Sequence, residues 1–245
     1  MIRVVCELTL RQLLGRGRMV AIGLLALFPI GLSAAYRLGS EDDDRQSWVA
    51  EVLLEGLVTT TLLPLVALVV GTAVLGAEID DGTAVHLLSK PVPRSRIVLG
   101  KLLAAWLVTA VTVVVSAVAA AWLGLGGVPG EGLLPGFAVA LACGALAYCA
   151  VFLLLSLVTS RALIVGLVYV LVWEGLVNGF LAGTRLLSIR HYTLAIADAL
   201  VGLPRAVFNA PLGIGAGAVM LVIVTVAATW YAVVRLRRFE VGDTT

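Results

Sequence analysis

The chain has few charged residues. Asp, Glu, Lys and Arg make up only 13% of its 245 residues, whereas 61% of the residues are hydrophobic. An ordinary soluble domain has roughly 25% charged and 45–50% apolar residues, so the composition excludes one. The mean hydropathy of +1.09 instead indicates a polytopic membrane protein.

Cysteine is also scarce. Cys6, Cys143 and Cys149 form an odd, scattered set. Cys143 and Cys149 lie in one apolar run but on different faces of a helix, so neither a disulfide framework nor a metal site is predicted. We expect all three to be small apolar side chains buried between helices.

Motifs of soluble enzymes are missing as well. The sequence contains no G-x-x-x-x-G-K-[ST], no H-E-x-x-H and no C-x-x-C. Its two histidines, His86 and His191, are predicted on opposite sides of the membrane and cannot share a site. We therefore expect no catalytic residue, metal or cofactor in this chain, and no interaction with nucleic acid.

What the sequence does contain is six long apolar segments. A helix needs about 20 apolar residues to cross a bilayer. The first segment is too long for the apolar part of a signal peptide. The predicted fold is an all-α polytopic membrane protein, a single domain over residues 1–245. Its six transmembrane helices are predicted over residues 19–36, 52–76, 97–123, 133–158, 162–181 and 212–234.

The segments outside these spans have patterns of their own. In residues 1–17, Arg3, Glu7 and Arg11 form one charged stripe, which predicts an amphipathic interfacial helix or a basic anchor. Residues 183–211 are predicted to be an external re-entrant or interfacial segment, either an exit gate or a packing lid. Two stripes of small residues favour helix packing within the chain over a dimer seam. They are Gly136, Ala140 and Gly144, and Gly213 and Gly217.

The distribution of Lys and Arg predicts the orientation. With six spans, twelve of the 17 Lys and Arg residues fall on the side of the membrane that carries both termini, and five fall on the other side. Cytoplasmic loops carry the excess of positive charge. The termini and the loop of residues 77–96 are therefore predicted to be cytoplasmic, in the plasma membrane of a bacterium or archaeon.

This predicted cytoplasmic loop is strongly charged and lies between two apolar spans. Asp81 and Gly82 signal a turn, and Thr83 can cap a short helix. Pro91 and Pro93 end that helix and restart the chain as the third span. The pattern predicts a short helix held across the bottom of a helical hairpin.

Two arginines follow the loop at an unfavourable place. Arg94 and Arg96 lie at the N-terminal end of the third span, where the helix dipole disfavours cations. We expect lipid phosphates to compensate for this placement.

The loop resembles a known family. The pattern Glu78-x-x-x-Gly82-Thr83-x-x-x-Leu87-Leu88-x-x-Pro91-x-x-Arg94, continuing to Gly100-Lys101, is similar to the cytoplasmic loop of type-2 ABC transporter (ABC-2) permeases. The order of interfacial helix, six spans and longer external segment agrees with that resemblance.

The resemblance implies a transport subunit that is not itself an enzyme. It implies an exporter in which two copies of this permease form a homodimer in the lipid bilayer. Two copies of a separate ABC ATPase subunit, which binds ATP and Mg, would join this homodimer. The loop would be a coupling helix docked into that ATPase. The implied coupling residues are Glu78, Asp80, Asp81, Gly82, Thr83, His86, Leu87 and Leu88, with Arg161 in a second, smaller contact.

Glu174 is the most informative single residue. It lies midway along the fifth span, where an ionisable side chain costs about 2.5–3.5 kcal/mol on the insertion scale. Asn178 lies four residues on, on the same helical face, and can hydrogen-bond to it. Three roles stay open: a group on a substrate path, a structural hydrogen-bonding group between helices, or a proton-coupling carboxyl.

Two other classes of function are also open. One is an ion-coupled secondary transporter that uses Glu174. The other is a membrane-embedded assembly or immunity protein that transports nothing. Co-purification of a soluble ATPase with the chain distinguishes the first interpretation from both.

Overall fold

The computed structural model describes residues 16–39, 45–80, 93–127, 132–177, 186–201 and 210–238. In this part of the chain, all the long regular elements are helices. In chain order they are α1 Arg16–Gly39, α2 as the consecutive segments Arg45–Ser47, Trp48–Leu62 and Leu63–Asp80, α3 Arg94–Gly124, α4 Leu133–Val158, α5 as the consecutive segments Ala162–Val168 and Tyr169–Val177, α6 Ile189–Val201 and α7 Ile214–Arg238.

Five of these helices are long and apolar enough to cross a membrane, namely α1, α2, α3, α4 and α7. Helix α5 is apolar too, but its stretch Ala162–Gly175 is shorter. The helical fold and its membrane-spanning character are thus confirmed, whereas a sixth span stays a prediction. The interfacial helix over residues 1–17 and the short helix within the loop of residues 77–96 lie almost wholly outside the described residues.

The helix ends gather in two groups. Arg18 of α1, Gly76 of α2 and Arg235 of α7 line one cavity, which we call the Arg18 end of the bundle. At the other end, Gly124 of α3 packs against Val49 of α2. Helices α1, α2, α3 and α4 therefore run in alternating directions, and both α4 and α7 finish at the Arg18 end, where α1 begins.

Helix α4 lies at the centre, in contact with α2, α3, α6 and α7. Its glycines allow the close approach of α6. A Cβ atom on Gly144 would lie 2.4 Å from Thr193 Oγ1, and one on Gly136 would lie 2.5 Å from Val201 Cγ2. Gly217 of α7 approaches α6 from another side. The prediction that these small residues pack within the chain is confirmed for the three glycines.

The first part of α2 is a wide helix. Trp48–Leu62 has π-type hydrogen bonding, and the N–H of Leu63 still donates to the carbonyl of Val58, five residues back. Pro64 follows at once. A proline in a helix lacks an N–H and clashes with the carbonyl four residues earlier. The change from the wide to the ordinary helix at Pro64 accommodates both defects, as such local adjustments do in membrane helices.

Polar side chains join the apolar helices at a few points. Ser116 of α3 donates to the carbonyl of Ala26 in α1 over 2.5 Å. The buried thiol of Cys149 in α4 lies 3.4 Å from the hydroxyl of Thr109 in α3. Cys149 is free and buried, as predicted, and Cys143 is free and partly buried.

Candidate functional site

Helix α6 enters the bundle rather than lying on it. Val201, its last residue, packs against Gly136 near the start of α4, whereas Thr193 packs against Gly144 two turns deeper. Its N-terminus is therefore its deepest point. Tyr148 of α4, one turn beyond Gly144, lies near this N-terminus. At 1.5 Å per residue, it is about 22 Å along α4 from the first residue of that helix. The N-terminus of α6 thus reaches the middle of the bundle.

Glu174 of α5 meets this helix N-terminus. The carboxylate is completely buried, with 0% of the residue exposed. Its Oε1 accepts hydrogen bonds from the Tyr169 hydroxyl over 3.1 Å and the Ile189 N–H over 3.2 Å. Its Oε2 accepts one from the Ser188 hydroxyl over 2.5 Å. The Tyr148 hydroxyl of α4 faces the same carboxyl group.

The placement satisfies two needs at once. A helix N-terminus has unpaired N–H groups and a partial positive charge, and both are stabilised by a carboxylate. A carboxylate in an apolar bundle needs donors and an opposite charge. Ser188 and Ile189 supply the donors, so Glu174 acts as a cap that α5 contributes to α6.

A second link joins α6 to the wide part of α2. Arg190 Nη2 lies 3.5 Å from Glu55 Oε1, and the two side chains are 22% and 30% exposed. Since π-type segments are frequent at functional sites, it is notable that Glu55 and Glu174 both lie in such segments, Trp48–Leu62 and Tyr169–Val177.

A cavity of about 410 Å³ opens at the Arg18 end. The ends of α1, α2, α4, α5 and α7 surround it. Arg18 and Arg235 line it together with the hydroxyl residues Thr72, Ser156, Thr159 and Ser160. Its remaining walls are apolar side chains of α2, α4 and α5, and no acidic residue is among its described lining.

Lys101 is a buried cation close to this end. Only 1% of the residue is exposed, and its Nζ donates to the Val74 carbonyl of α2 over 2.7 Å. Val74 lies in the last two turns of α2, just ahead of the predicted coupling loop. The ammonium group therefore joins α3 to the end of α2.

Arg94 has partners within the chain that were not predicted. Its Nη1 donates to the carbonyls of Leu236 and Arg237 over 2.6 and 2.7 Å, at the C-terminus of α7. A guanidinium is stabilised at a helix C-terminus by the dipole and the unpaired carbonyls. These carbonyls compensate for the unfavourable placement of Arg94, and compensation by lipid phosphates stays a prediction. Arg96 is exposed.

The structure places only part of the predicted coupling surface. Glu78 and Asp80 lie in the last turn of α2. Arg161 is exposed in the turn between α4 and α5, where its N–H donates to Thr159 Oγ1 over 3.2 Å. Six predicted coupling residues lie outside the described residues, namely Asp81, Gly82, Thr83, His86, Leu87 and Leu88. Asn178 lies outside them too.

No site role was predicted for Ser188, Tyr169 or Lys101. Ser188 and Tyr169 are ordinary residue types at unremarkable spacings, so nothing in the sequence marks them as partners of Glu174. Lys101 did carry a signal, because it follows the charged loop by a full turn inside an apolar segment and falls on the buried face of α3.

A comparison with protein-family models gives one finding. Residues 16–241 match the model described as "ABC-2 family transporter protein". A comparison with curated proteins gives no match. The matched region takes in every described residue, including the Glu174 site, Lys101 and the cavity.

Proposed function

The chain belongs to the ABC-2 family of transporter proteins, and from that premise we propose that it is the transmembrane permease subunit of an ATP-driven exporter. The family match over residues 16–241 is the observation that carries the proposal. In the proposed exporter, a separate ATPase subunit binds ATP and Mg²⁺. The chain converts closure of that ATPase into opening of a path across the membrane.

The layout of the Arg18 end supports coupling at that end. Gly76, at the end of α2 that leads into the predicted coupling loop, lines the same cavity as Thr159 and Ser160 in the α4–α5 turn. The two contacts implied for the ATPase, the loop of residues 77–96 and Arg161, therefore start from one face of the bundle. A single partner can reach both. In the proposal this face is cytoplasmic.

Side-chain links near this face, one of them buried, give a physical route by which a movement of the ATPase would reach the helices. Lys101 joins α3 to Val74, and Arg94 joins α3 to the last carbonyls of α7. A displacement of the loop between α2 and α3 would therefore move the ends of α2, α3 and α7 together. Tightly packed helices transmit such displacements because their interiors have few voids.

We also propose that the permease works as a homodimer with two ATPase subunits. Helices α1 and α5 have broad exposed apolar faces, which a second copy or lipid would cover. Those of α5 are Leu163, Ile164, Val165, Leu167, Val168, Leu171 and Val172. Chemical crosslinking in native membranes measures directly whether two copies of the chain are in contact.

The ion-coupled alternative depends on Glu174 and has weaker support. A proton-coupling carboxyl must exchange protons with water, whereas Glu174 has no exposed surface and accepts three hydrogen bonds from donors of the chain. These contacts favour the structural role over the other two that its sequence position allows.

The experiment is affinity purification of the tagged chain from its own host, in mild detergent. We expect a soluble ATPase with a phosphate-binding loop to be recovered in a fixed ratio. Its ATP hydrolysis should change when this chain is reconstituted with it in liposomes. Full-rate transport by the chain without any such ATPase would contradict the proposal.

A further inference from the structure

We propose that the cavity at the Arg18 end binds an anionic phosphate group, and that its source is the headgroup of a phospholipid in the adjoining leaflet. The inference rests on the cavity and its charges, and it does not depend on the proposed ATPase partner. Its volume of about 410 Å³ is that of a small-ligand site.

The charge of the cavity selects an anion. Arg18 and Arg235 come from helices at opposite ends of the sequence, yet both line this one space. Neither has an ion-pair partner among the described residues. Two arginines and no acidic residue in the described lining give the cavity a positive charge, which attracts an anion. Arginine is well suited to phosphate because its planar fork donates two parallel hydrogen bonds.

The hydroxyl groups of the lining divide into two kinds. Thr72 and Ser156 donate to the carbonyls of Leu68 and Leu153 in their own helices. Thr159 instead accepts a hydrogen bond from a backbone N–H, which leaves its own hydroxyl proton to donate. Ser160 is exposed beside it. The turn thus adds donors to those of the arginines.

The depth of the site points to a lipid. Arg18 is the last charged residue before the apolar part of α1, and Arg235 is the first one after the apolar part of α7. Charged residues at these positions lie where a hydrocarbon core meets the headgroup layer. On α2, the apolar Val69 lies one turn deeper than Thr72. A phospholipid has the same order of groups, with phosphate outside and apolar chains inside.

The test measures lipid binding by native mass spectrometry of the full chain in detergent. The probes are dioctanoyl phosphatidylglycerol, dioctanoyl phosphatidylcholine and inorganic phosphate. The variant R18Q/R235Q removes both guanidinium groups. The matched control R37Q/R45Q removes two exposed arginines at the Gly124 end of the bundle.

We expect R18Q/R235Q to bind phosphatidylglycerol on the order of thirtyfold more weakly than the wild type, because each basic residue near an anionic headgroup adds to the attraction. R37Q/R45Q should bind it as the wild type does. Ser160→Glu, which places a negative charge at the cavity, should weaken binding too, and R18K/R235K should restore part of it. The last two variants keep the result interpretable if the first one folds poorly.

The probes separate the two sources of phosphate. Binding of phosphatidylglycerol that millimolar inorganic phosphate does not displace identifies a lipid site. Inorganic phosphate that binds in the same arginine-dependent way and displaces the lipid identifies a site for a free phosphate group and overturns the lipid assignment. Equal binding by R18Q/R235Q and the wild type, or an equal loss in R37Q/R45Q, overturns the whole proposal.

Discussion

Glu174 Oε2 and the hydroxyl of Ser188 lie 2.5 Å apart. This contact joins α5, which starts at the Arg18 end, to α6, which enters the bundle from the opposite end. The neighbouring N–H of Ile189 donates to the same carboxylate. The acid in the middle of α5 and the deep N-terminus of α6 therefore stabilise each other. Each would be costly alone in an apolar bundle.

Replacement of this acid should loosen α6. Glu174→Ala leaves two buried donors and one partly buried donor without their acceptor, so we expect a loss of about 1–3 kcal/mol in the free energy of unfolding. Glu174→Gln keeps one carbonyl oxygen and should lose less. Unfolding in detergent micelles measures both. Glu51→Ala, on the exposed side of α2, is the control and should be neutral. An unchanged stability of Glu174→Ala would contradict the capping role.

The close approach of α4 and α6 predicts a second effect. Gly144→Ala would put a methyl group 2.4 Å from Thr193 Oγ1, which the packed interface cannot accept without a shift. We expect a loss of about 1–3 kcal/mol, typical of overpacking. Gly31→Ala is the matched control, since no atom lies within 4 Å of its added methyl group. If Gly31→Ala were less stable than Gly144→Ala, the interface between α4 and α6 would not be tight.

The contact of Arg94 with α7 can be tested by local hydrogen exchange. Arg94→Gln removes the guanidinium from the carbonyls of Leu236 and Arg237, so the last turn of α7 should open more easily, by on the order of 1 kcal/mol. Amides of that turn should exchange faster, while those at the start of α7 keep their rates. Arg96→Gln, at the exposed neighbour, should leave both regions unchanged.

The proposed coupling role of the loop of residues 77–96 can be tested by variants that should impair function without a folding defect. Glu78→Ala and Gly82→Pro should let the partner ATPase hydrolyse ATP while transport falls on the order of tenfold, which corresponds to about 1.4 kcal/mol of coupling free energy. Transport per ATP hydrolysed in liposomes is the measurement. Membrane insertion should be normal, and Glu51→Ala again serves as the control. Wild-type coupling in both variants would remove the loop from the mechanism.

Much of the architecture could be predicted because membrane helices depend on local properties. An apolar run of sufficient length must form a helix in lipid, since no water is present to satisfy its backbone. The bounds of α4 are Leu133–Val158, the range of the fourth predicted span. The packing role of Gly136 and Gly144 was also visible, because small residues at this spacing share one helical face.

The candidate sites could be predicted only in part. Glu174 stood out because a carboxyl in an apolar run is costly, but its partners Ser188 and Ile189 come from another helix and are not marked by any spacing. Arg94 was assigned to lipid because the sequence shows only its own helix. The C-terminus of α7 lies beside it only after the chain has folded.

The sequence alone determined that this protein is a bundle of membrane helices of a transporter family, because hydrophobicity, helix length and a loop motif are all local properties. Only the tertiary structure decided what each buried or paired charge contacts. Glu174 caps α6, Lys101 reaches Val74, and Arg18 and Arg235 share one cavity. Electrostatic and hydrogen-bond energies depend on distances of a few ångströms, and these distances are set by packing between residues far apart in the chain.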